Sequence, residues 1–286
     1  MLFQDQPAGR AAQLEAAGYA LALASDGGTA WEMLVADPGR FHALIVDHQD
    51  CGPEGIQLLE QMRAHPVLWG IPVILQTEPA AVSERVRRSA TRCLLKPFEP
   101  ADLLGALAAA LQERVCFRSG PVGGYPGSGA GEDCAATFTF KSPHAARELA
   151  TRLANACPEP QRVVVGLAEL LLNAVEHGNL CISYDEKTRL RREECWEEEV
   201  AARLADPANA DKEVRVEYVR DADRIRVLIR DQGDGFDWRA YLAMDPAEAV
   251  GLHGRGIAIA RMMSFDSMEY RGKGSEVEVT VDLTPR

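Results

Sequence analysis

The sequence has no excess of positive charge, since its 286 residues include 31 Lys and Arg against 43 Asp and Glu. Both halves of the chain are acidic, which argues against a general nucleic-acid-binding surface. No apolar run reaches the roughly 20 residues that span a bilayer. The opening residues, MLFQDQPAGR, do not have the pattern of a signal peptide. We therefore expect a cytoplasmic protein that binds neither nucleic acid nor a membrane.

Cysteine is scarce and irregularly spaced. The seven cysteines are an odd number, and none of them occurs in a CxxC pair or at the Cys/His spacing of a zinc site. This pattern argues against a disulfide framework and against structural zinc, and it predicts reduced thiols.

Glycine, serine and proline concentrate in one stretch of the chain, SGPVGGYPGSGAGED. This composition is typical of a flexible connection, so residues 116–133 are predicted to link two domains. The chain is long enough for each domain to bury its own core. The predicted domains are residues 1–115 and residues 134–286.

Short apolar runs alternate with helical patterns in the first domain, as in ALIVD, EGIQLLEQMRAH and PVILQT. Such alternation predicts a doubly wound parallel sheet, in which ligands gather at the carboxyl ends of the strands. Three reactive side chains fall at such ends: Asp47 closes HALIVD, Thr77 closes PVILQT, and Lys96 lies in LLKPF. This set suits a phosphorylated carboxylate whose phosphate oxygens are contacted by Thr77 and Lys96.

With KPF and GIQLLEQMR at their expected places, this half resembles the receiver domains of response regulators, which have a flavodoxin-like fold. The resemblance implies that Asp47 accepts phosphate from an upstream histidine kinase, that Asp47 and Asp5 hold Mg²⁺, and that Pro97 follows a cis bond. The start of the chain departs from the pattern, because Gln4 stands where a second acid is usual. The alternative is a receiver that is no longer phosphorylated and serves as a docking module.

A polar stripe marks the second half: Glu169, Asn173 and His177 recur every four residues in GLAELLLNAVEHGN. Because four residues are close to one helical turn, these side chains are predicted to project from one face of a helix. A stripe of this kind is also typical of a solvated helix face, so its interpretation depends on the motifs that follow.

Two glycine-rich motifs follow the stripe, DQGDGF and GLHGRG. Asp231 ends a predicted strand, and its carboxylate could accept a hydrogen bond from an exocyclic amino group. Gly233 and Gly235 would let the backbone approach a ligand closely, although such residues also make ordinary turns. Gly254 and Gly256 precede GIAIARMMS, where N–H groups at a helix start could hold phosphate oxygens. The three motifs together predict a nucleotide site.

The motifs, followed by the strands MEYRG and SEVEVTVDL, resemble the ATP-binding α/β two-layer sandwich of histidine kinases and gyrase-type ATPases. ATFTFKSPHAARELATRLANAC and GRGIAIARMMSFDSMEYRGKGSEVEV most resemble the branch of anti-sigma factor serine kinases. The resemblance implies ATP and Mg²⁺ as cofactors: Glu169 polarises the acceptor hydroxyl, Asn173 holds Mg²⁺, and Asp231 binds adenine. It also implies that Arg255 lies near the phosphates, and that the substrate is a serine or threonine of a STAS-type anti-sigma antagonist.

A charged segment at about residues 182–212 interrupts this resemblance. It contains strong helix formers and a thin apolar stripe, which consists of Leu190, Trp196, Val200 and Leu204. The preferred interpretation is a solvated helix that this stripe packs onto the domain. The alternative is a helix for partner docking or dimerisation, with Trp196 as its anchor.

We therefore expect a two-component output protein in which phosphorylation of Asp47 regulates an ATP-dependent serine/threonine kinase domain. Two other functions stay open on the sequence. One is an ATP-binding regulatory protein that sequesters a sigma factor or another partner without phosphate transfer. The other is a histidine kinase that phosphorylates His144 and relays the phosphate to Asp47. Homodimerisation is also open.

Overall fold

The computed structural model describes residues 2–3, 8–37, 39–65, 67–79, 90–119, 133–239 and 255–283. The chain divides into two compact units, residues 1–116 and residues 117–286. The described residues form two sheets, one of five strands and one of six. Within the described residues, no helix is both long enough and apolar enough to cross a membrane.

The sheet of the first unit is parallel throughout. Its strands are β1 (Leu2–Phe3), β2 (Leu23–Ala24), β3 (Leu44–Asp47), β4 (Val73–Thr77) and β5 (Arg92–Leu95). Their order, β2-β1-β3-β4-β5, is that of a flavodoxin-like doubly wound fold. Every residue of β3 and β4 is buried, which explains why these strands read as continuous apolar runs.

Two apolar clusters hold helices against opposite faces of this sheet. The helices are α1 (Ala8–Ala16), α2 (Gly27–Ala36), α3 (His48–Ala64) and α4 (Pro100–Gln112), with a 3₁₀ turn at Leu68–Gly70. Successive residues of β3 point to alternate faces. Leu44 and Val46 share one cluster with Leu34 of α2, whereas Ile45 shares the other with Leu107 of α4.

The second sheet is antiparallel in the strand pairs with a defined register. Its strands are β6 (Cys116–Ser119), β7 (Cys134–Phe140), β8 (Val214–Arg220), β9 (Arg224–Arg230), β10 (Ser267–Arg271) and β11 (Glu276–Asp282). They lie in the order β10-β11-β9-β8-β7-β6. The segment predicted as a flexible linker, residues 116–133, therefore starts with an edge strand of this sheet, and residues 120–132 lie outside the described residues.

The strands of the second sheet alternate between buried apolar and more exposed polar residues, as expected for a sheet covered on one face. In β11, Val277 and Val279 are buried. Glu276, the first residue of this strand, forms an ion pair with Arg230 of β9 at 2.6 Å. The helices of this unit are α5 (Pro143–Ala154), α6 (Pro160–Asn173), α7 (Tyr184–Arg192), α8 (Trp196–Ala205) and α9 (Arg255–Ile259). The predicted α/β class, a doubly wound parallel sheet followed by a two-layer sandwich, is confirmed.

Helices α7 and α8 lie in the charged insertion and turn its apolar stripe inward. Leu190 and Val200 are buried. Trp196 is half-buried, with the guanidinium carbons of Arg147 and Arg191 at 5.9 and 5.7 Å from its ring centroid. This arrangement agrees with helices packed onto the domain, and it does not present Trp196 as an exposed anchor.

A glycine permits the close packing of α6 on the π-helical turn that follows α9, Ala260–Ser264. A Cβ at Gly166 would lie 2.4 Å from Ser264 Cβ and 2.7 Å from ring atoms of Phe265. We expect Gly166→Ala to destabilise the second domain by about 1–3 kcal/mol, because overpacking forces neighbouring groups apart. The change in the free energy of unfolding is measured by urea denaturation.

The matched control is Gly105→Ala in α4, where no atom lies within 4 Å of an added Cβ. That variant should gain about 0.5–1 kcal/mol of stability, because alanine is the better helix former. If Gly166→Ala were as stable as Gly105→Ala, the described packing of α6 would be incorrect.

Candidate functional site

A cavity of about 400 Å³ lies between the end of α6 and the second sheet. Asn173 and His177 contribute one wall, and Asp231, which directly follows β9, contributes another. The apolar side chains that line the cavity include Leu170, Ala174, Ile182, Ile229, Phe236, Ile257, Tyr270 and Val277. Such a space, largely apolar with a few convergent polar groups, is typical of a small-molecule site.

The end of α6 differs from the regular helix that the sequence predicts. After Asn173 the chain forms a π-helical turn, Ala174–Asn179, in which the Leu180 N–H donates to the Val175 carbonyl at 2.9 Å. Glu169 and Asn173 are therefore one α-helical turn apart. His177 lies in the π-helical turn, so it does not continue the four-residue spacing of the α-helix. His177 still lines the cavity.

Among the residues that the structure describes, the Asp231 carboxylate bonds to backbone and to no cation directly. Its Oδ1 accepts a hydrogen bond from the Gly233 N–H at 2.8 Å. A Cβ at Gly178 would lie 2.5 Å from Asp231 Cγ, so the absence of a side chain lets the π-helical turn pack on the carboxylate. Burial raises the pKa of Asp231 to about 6, against the opposing effects of the Gly233 N–H and the Lys273 ammonium group.

The predicted glycines permit three close approaches around the cavity. A Cβ at Gly233 would lie 2.4 Å from the Gly178 carbonyl oxygen. Gly235 has a φ of +81°, and a Cβ there would lie 2.1 Å from the Lys273 carbonyl oxygen. Gly256 of α9 faces Glu169, whose Oε2 would lie 2.1 Å from an added Cβ. Larger residues at these positions would alter the shape of the site.

The other predicted site residues of this domain are Glu169, Gly254, Arg255 and His144. Glu169 is half-buried, one turn before Asn173 and against the start of α9. Gly254 lies outside the described residues, and so does the side chain of Arg255. Their approach to phosphate oxygens stays a prediction. His144 lies at the start of α5 and is half exposed, with its Nε2 3.9 Å from Glu148 Oε1.

Sequence reasoning missed two parts of the cavity wall. The first is the start of the insertion, where Cys181, Ile182, Ser183 and Tyr184 line the cavity. The second is Tyr270 of β10, whose ring is 5.3 Å from that of Phe236 and whose pKa burial raises. The alternation of polar and apolar residues in SMEYR is a weak sequence signal for Tyr270, whereas no sequence pattern indicates the first group.

The first unit brings together two of its predicted site residues. Asp47 ends β3 in a buried position, and Lys96 Nζ lies 2.6 Å from Asp47 Oδ2. The Lys96–Pro97 bond is cis, as predicted. Thr77 is buried at the end of β4, with its Oγ1 3.4 Å from the Glu78 carbonyl oxygen.

The predicted magnesium partner Asp5 lies outside the described residues. Within the residues that are described, no cluster of three or more His, Cys, Asp and Glu side chains is placed to bind a metal ion. A magnesium site at Asp47 therefore stays a prediction.

Comparison with known proteins gives separate matches for the two halves. Residues 141–281 match the family model of the histidine kinase-like ATPase domain, and this range contains the cavity-lining residues named above. No curated protein matches the chain significantly.

Solved structures resemble the other half. One is a candidate response regulator of Chloroflexus aurantiacus, with 27% identity over 38% of this chain and 94% of that chain, and a TM-score of 0.34. Another is the receiver domain of the sensor histidine kinase PA1611 of Pseudomonas aeruginosa, with magnesium in its active-site cleft. It has 26% identity over 38% of this chain and 93% of that chain, and a TM-score of 0.34.

The Asp47–Lys96 pair generates a stability prediction. Lys96→Met is expected to destabilise the first domain by about 3 kcal/mol, because it leaves a buried carboxylate without its nearby cation. The double variant Asp47→Asn/Lys96→Met should recover much of this loss, since both charges are then absent. Urea denaturation measures the free energy of unfolding of each variant.

The matched control is Arg92→Met, which breaks the more exposed ion pair between Arg92 and Glu113. Exposed pairs contribute at most about 1 kcal/mol, so this variant should remain close to the wild type. Equal losses for Lys96→Met and Arg92→Met would contradict a special role of the buried pair.

The raised pKa of Asp231 predicts a pH-dependent stability. Its folded pKa of about 6 exceeds the ordinary value of 3.8, so the folded state binds this proton more tightly than the unfolded state. The group therefore disfavours folding above about pH 6, and the penalty disappears as the pH falls toward 4. We expect Asp231→Asn to stabilise the second domain at about pH 8, by roughly 1–2 kcal/mol after allowance for solvent screening.

Thermal denaturation across this pH range measures the effect. The control is Asp221→Asn at the turn between β8 and β9, where hydrogen bonds from the Asp223 and Arg224 N–H groups lower the pKa of the carboxyl. That variant should gain no stability at high pH. If Asp231→Asn were more stable than the wild type by the same amount at every pH, ionisation of the Asp231 carboxyl would not be the cause of the gain in stability.

Proposed function

We propose that this is a two-component output protein in which a receiver domain regulates an ATP- and Mg²⁺-dependent serine/threonine protein kinase domain. One observation carries the proposal. The same apolar cavity has the Asp231 carboxylate in one wall and Asn173 in another, with Glu169 one helical turn before Asn173. A carboxylate can accept a hydrogen bond from the amino group of adenine, an amide oxygen can bind Mg²⁺, and a second carboxylate can accept the proton of the acceptor hydroxyl.

The apolar side of the cavity suits a purine ring. Ile229, Ile257 and Val277 offer hydrophobic contacts, and the ionised Asp231 carboxylate can accept a hydrogen bond from the exocyclic amino group of adenine. Asp231 already uses Oδ1 for the Gly233 N–H, and a carboxylate has further acceptor capacity. Hypoxanthine, which has a carbonyl oxygen in place of that amino group, would be disfavoured.

Asn173 gives the cavity wall a group that suits a metal ion. The side-chain oxygen of Asn173 is a ligand type that Mg²⁺ accepts. When bound there, Mg²⁺ would neutralise negative charge on the phosphate oxygens. Gly254, Gly256 and Arg255 are the proposed backbone and cationic contacts to the same phosphates.

Glu169 is the proposed general base. It is half-buried beside Gly256, where an added Cβ would lie 2.1 Å from its Oε2, so the glycine makes room for the carboxylate. Glu169 accepts the proton that the acceptor hydroxyl loses as its oxygen bonds to the γ-phosphorus and ADP leaves. The acceptor is proposed to be a serine or threonine of a STAS-type anti-sigma antagonist.

The first domain supplies the regulation in this proposal. An upstream histidine kinase phosphorylates Asp47, and Lys96, already 2.6 Å from the carboxylate, neutralises part of the added charge. Thr77, at the end of the neighbouring strand, is the proposed hydroxyl contact to the phosphate. Mg²⁺ at this site would be held by Asp47 with Asp5.

The decisive variant is Glu169→Gln, which removes the base and retains the size of the side chain. We expect transfer from radiolabelled ATP to a STAS-type antagonist of the same organism to fall by about 10²–10⁴-fold. Affinity for the nucleotide should change by less than about threefold, because Glu169 does not contact the base. Glu197→Gln, at an exposed position of α8, is the matched control and should leave transfer unchanged.

Other outcomes would overturn the proposal in different ways. ATP binding without transfer, together with partner capture that is equal in Glu169→Gln and wild type, would indicate a regulatory binding protein. An acid-labile phosphate that disappears in His144→Ala would indicate a histidine kinase. Failure of the wild type to bind ATP would exclude all of these functions.

A further inference from the structure

The charged insertion contributes the beginning of α7 to the wall of the nucleotide cavity. Directly after the π-helical turn, Cys181 adopts a left-handed backbone conformation with a φ of 53°, which redirects the chain. The next residues, Ile182, Ser183 and Tyr184, line the cavity. The insertion is therefore part of the site as well as a covering of the domain.

Among these residues, Tyr184 has the side chain best suited to contact a ligand. The Ser183 hydroxyl is committed to the helix, because it accepts a hydrogen bond from the Glu186 N–H at 3.2 Å and caps α7. The Tyr184 ring lies over the His177 ring, with 3.9 Å between the centroids. His177 and Tyr184 thus form one continuous aromatic surface at the cavity wall.

This surface lies toward the Asp231 side of the cavity. Gly178, next to His177, packs directly on the Asp231 carboxylate. Tyr184, Asp231 and Tyr270 all line this cavity. Glu169 packs against Gly256 of α9, where the phosphate chemistry is proposed. A ligand contact of Tyr184 would therefore involve the base or the sugar.

Charged groups from both insertion helices hold Tyr184 in place. Lys187, one turn after Tyr184, forms an ion pair with Glu176, whose side chain is completely buried in the π-helical turn. Arg203 of α8 donates to the Leu180 carbonyl at 2.8 Å and pairs with Glu186 at 2.5 Å. The segment that carries Tyr184 is thus fixed before it and after it.

We propose that Tyr184 is a nucleotide-contacting residue that packs against the adenosine part of the ligand, and that Lys187 is a positioning residue that acts through Glu176. The inference rests on the proposed ATP site. It assigns the insertion a role in nucleotide affinity, in place of partner docking. Because the contact excludes the phosphates, it must contribute equally to the binding of ADP and of ATP.

The test is calorimetric titration of the full-length protein with Mg²⁺ and either ADP or a non-hydrolysable ATP analogue. Tyr184→Ala should weaken both ligands by the same factor, about tenfold, since it removes one aromatic contact. Tyr184→Phe should retain the affinity within about twofold, because the ring is preserved. The matched control is Arg192→Ala, at an exposed position on the same helix.

A second pair of variants tests the positioning role of Lys187. Lys187→Met should weaken both nucleotides, and the double variant Glu176→Gln/Lys187→Met should restore most of the affinity, because no buried charge is then left unpaired. A merely structural role would lower the melting temperature of Lys187→Met without changing its nucleotide affinity. That result would overturn the positioning role.

The remaining outcomes separate this inference from the function on which it rests. If the wild type binds both nucleotides and Tyr184→Ala binds them equally well, the contact is excluded while the ATP site stands. A loss confined to the ATP analogue would place Tyr184 at the phosphates and would contradict the inference. If the wild type binds neither nucleotide, the proposed function fails and the inference fails with it.

Discussion

The ligand site proposed in the second domain depends on one carboxylate that lies in a largely apolar cavity wall. Asp231 directly follows β9, and its charge is compensated by a backbone N–H and a more distant ammonium group. Burial of this kind disfavours folding, as the raised pKa of Asp231 indicates. The close packing around it is possible because Gly178 and Gly233 have no side chains. A partly buried acceptor with further acceptor capacity is a group to which a ligand can donate a hydrogen bond.

The two domains solve the burial of a carboxylate differently. Asp47 also ends a strand, but a lysine ammonium lies 2.6 Å from it, so that charge is paired within the protein. Phosphorylation would add charge next to a cation already in place. Asp231 has a backbone donor instead, and its carboxylate keeps acceptor capacity for a hydrogen bond from a ligand. The difference agrees with a covalently modified site in one domain and a reversible ligand site in the other.

The sequence predicts the elements that depend on local pattern. Continuous apolar runs identify β3 and β4, and parallel strands bring Asp47 and Lys96 to the same sheet edge. A π-helical turn shifts the register by a residue, so a repeat of four cannot reveal that His177 follows a different geometry. Tyr184 lies in the cavity wall because contacts of Lys187 and Arg203 hold the insertion against the end of the π-helical turn. These contacts are tertiary, so no local sequence pattern reveals them. The strand Cys116–Ser119 is missed by the sequence prediction, because the glycine-rich residues that follow it indicate a flexible linker.

We propose that the cavity recognises adenine through Asp231. The most direct measurement is calorimetric titration of the wild type with Mg²⁺ and a non-hydrolysable ATP analogue, compared with the corresponding inosine analogue. The account predicts that the ATP analogue binds and that the inosine analogue binds at least about tenfold more weakly, because its base has no amino group to donate to the carboxylate. Equal affinity for the two analogues, or no binding of either, would contradict it.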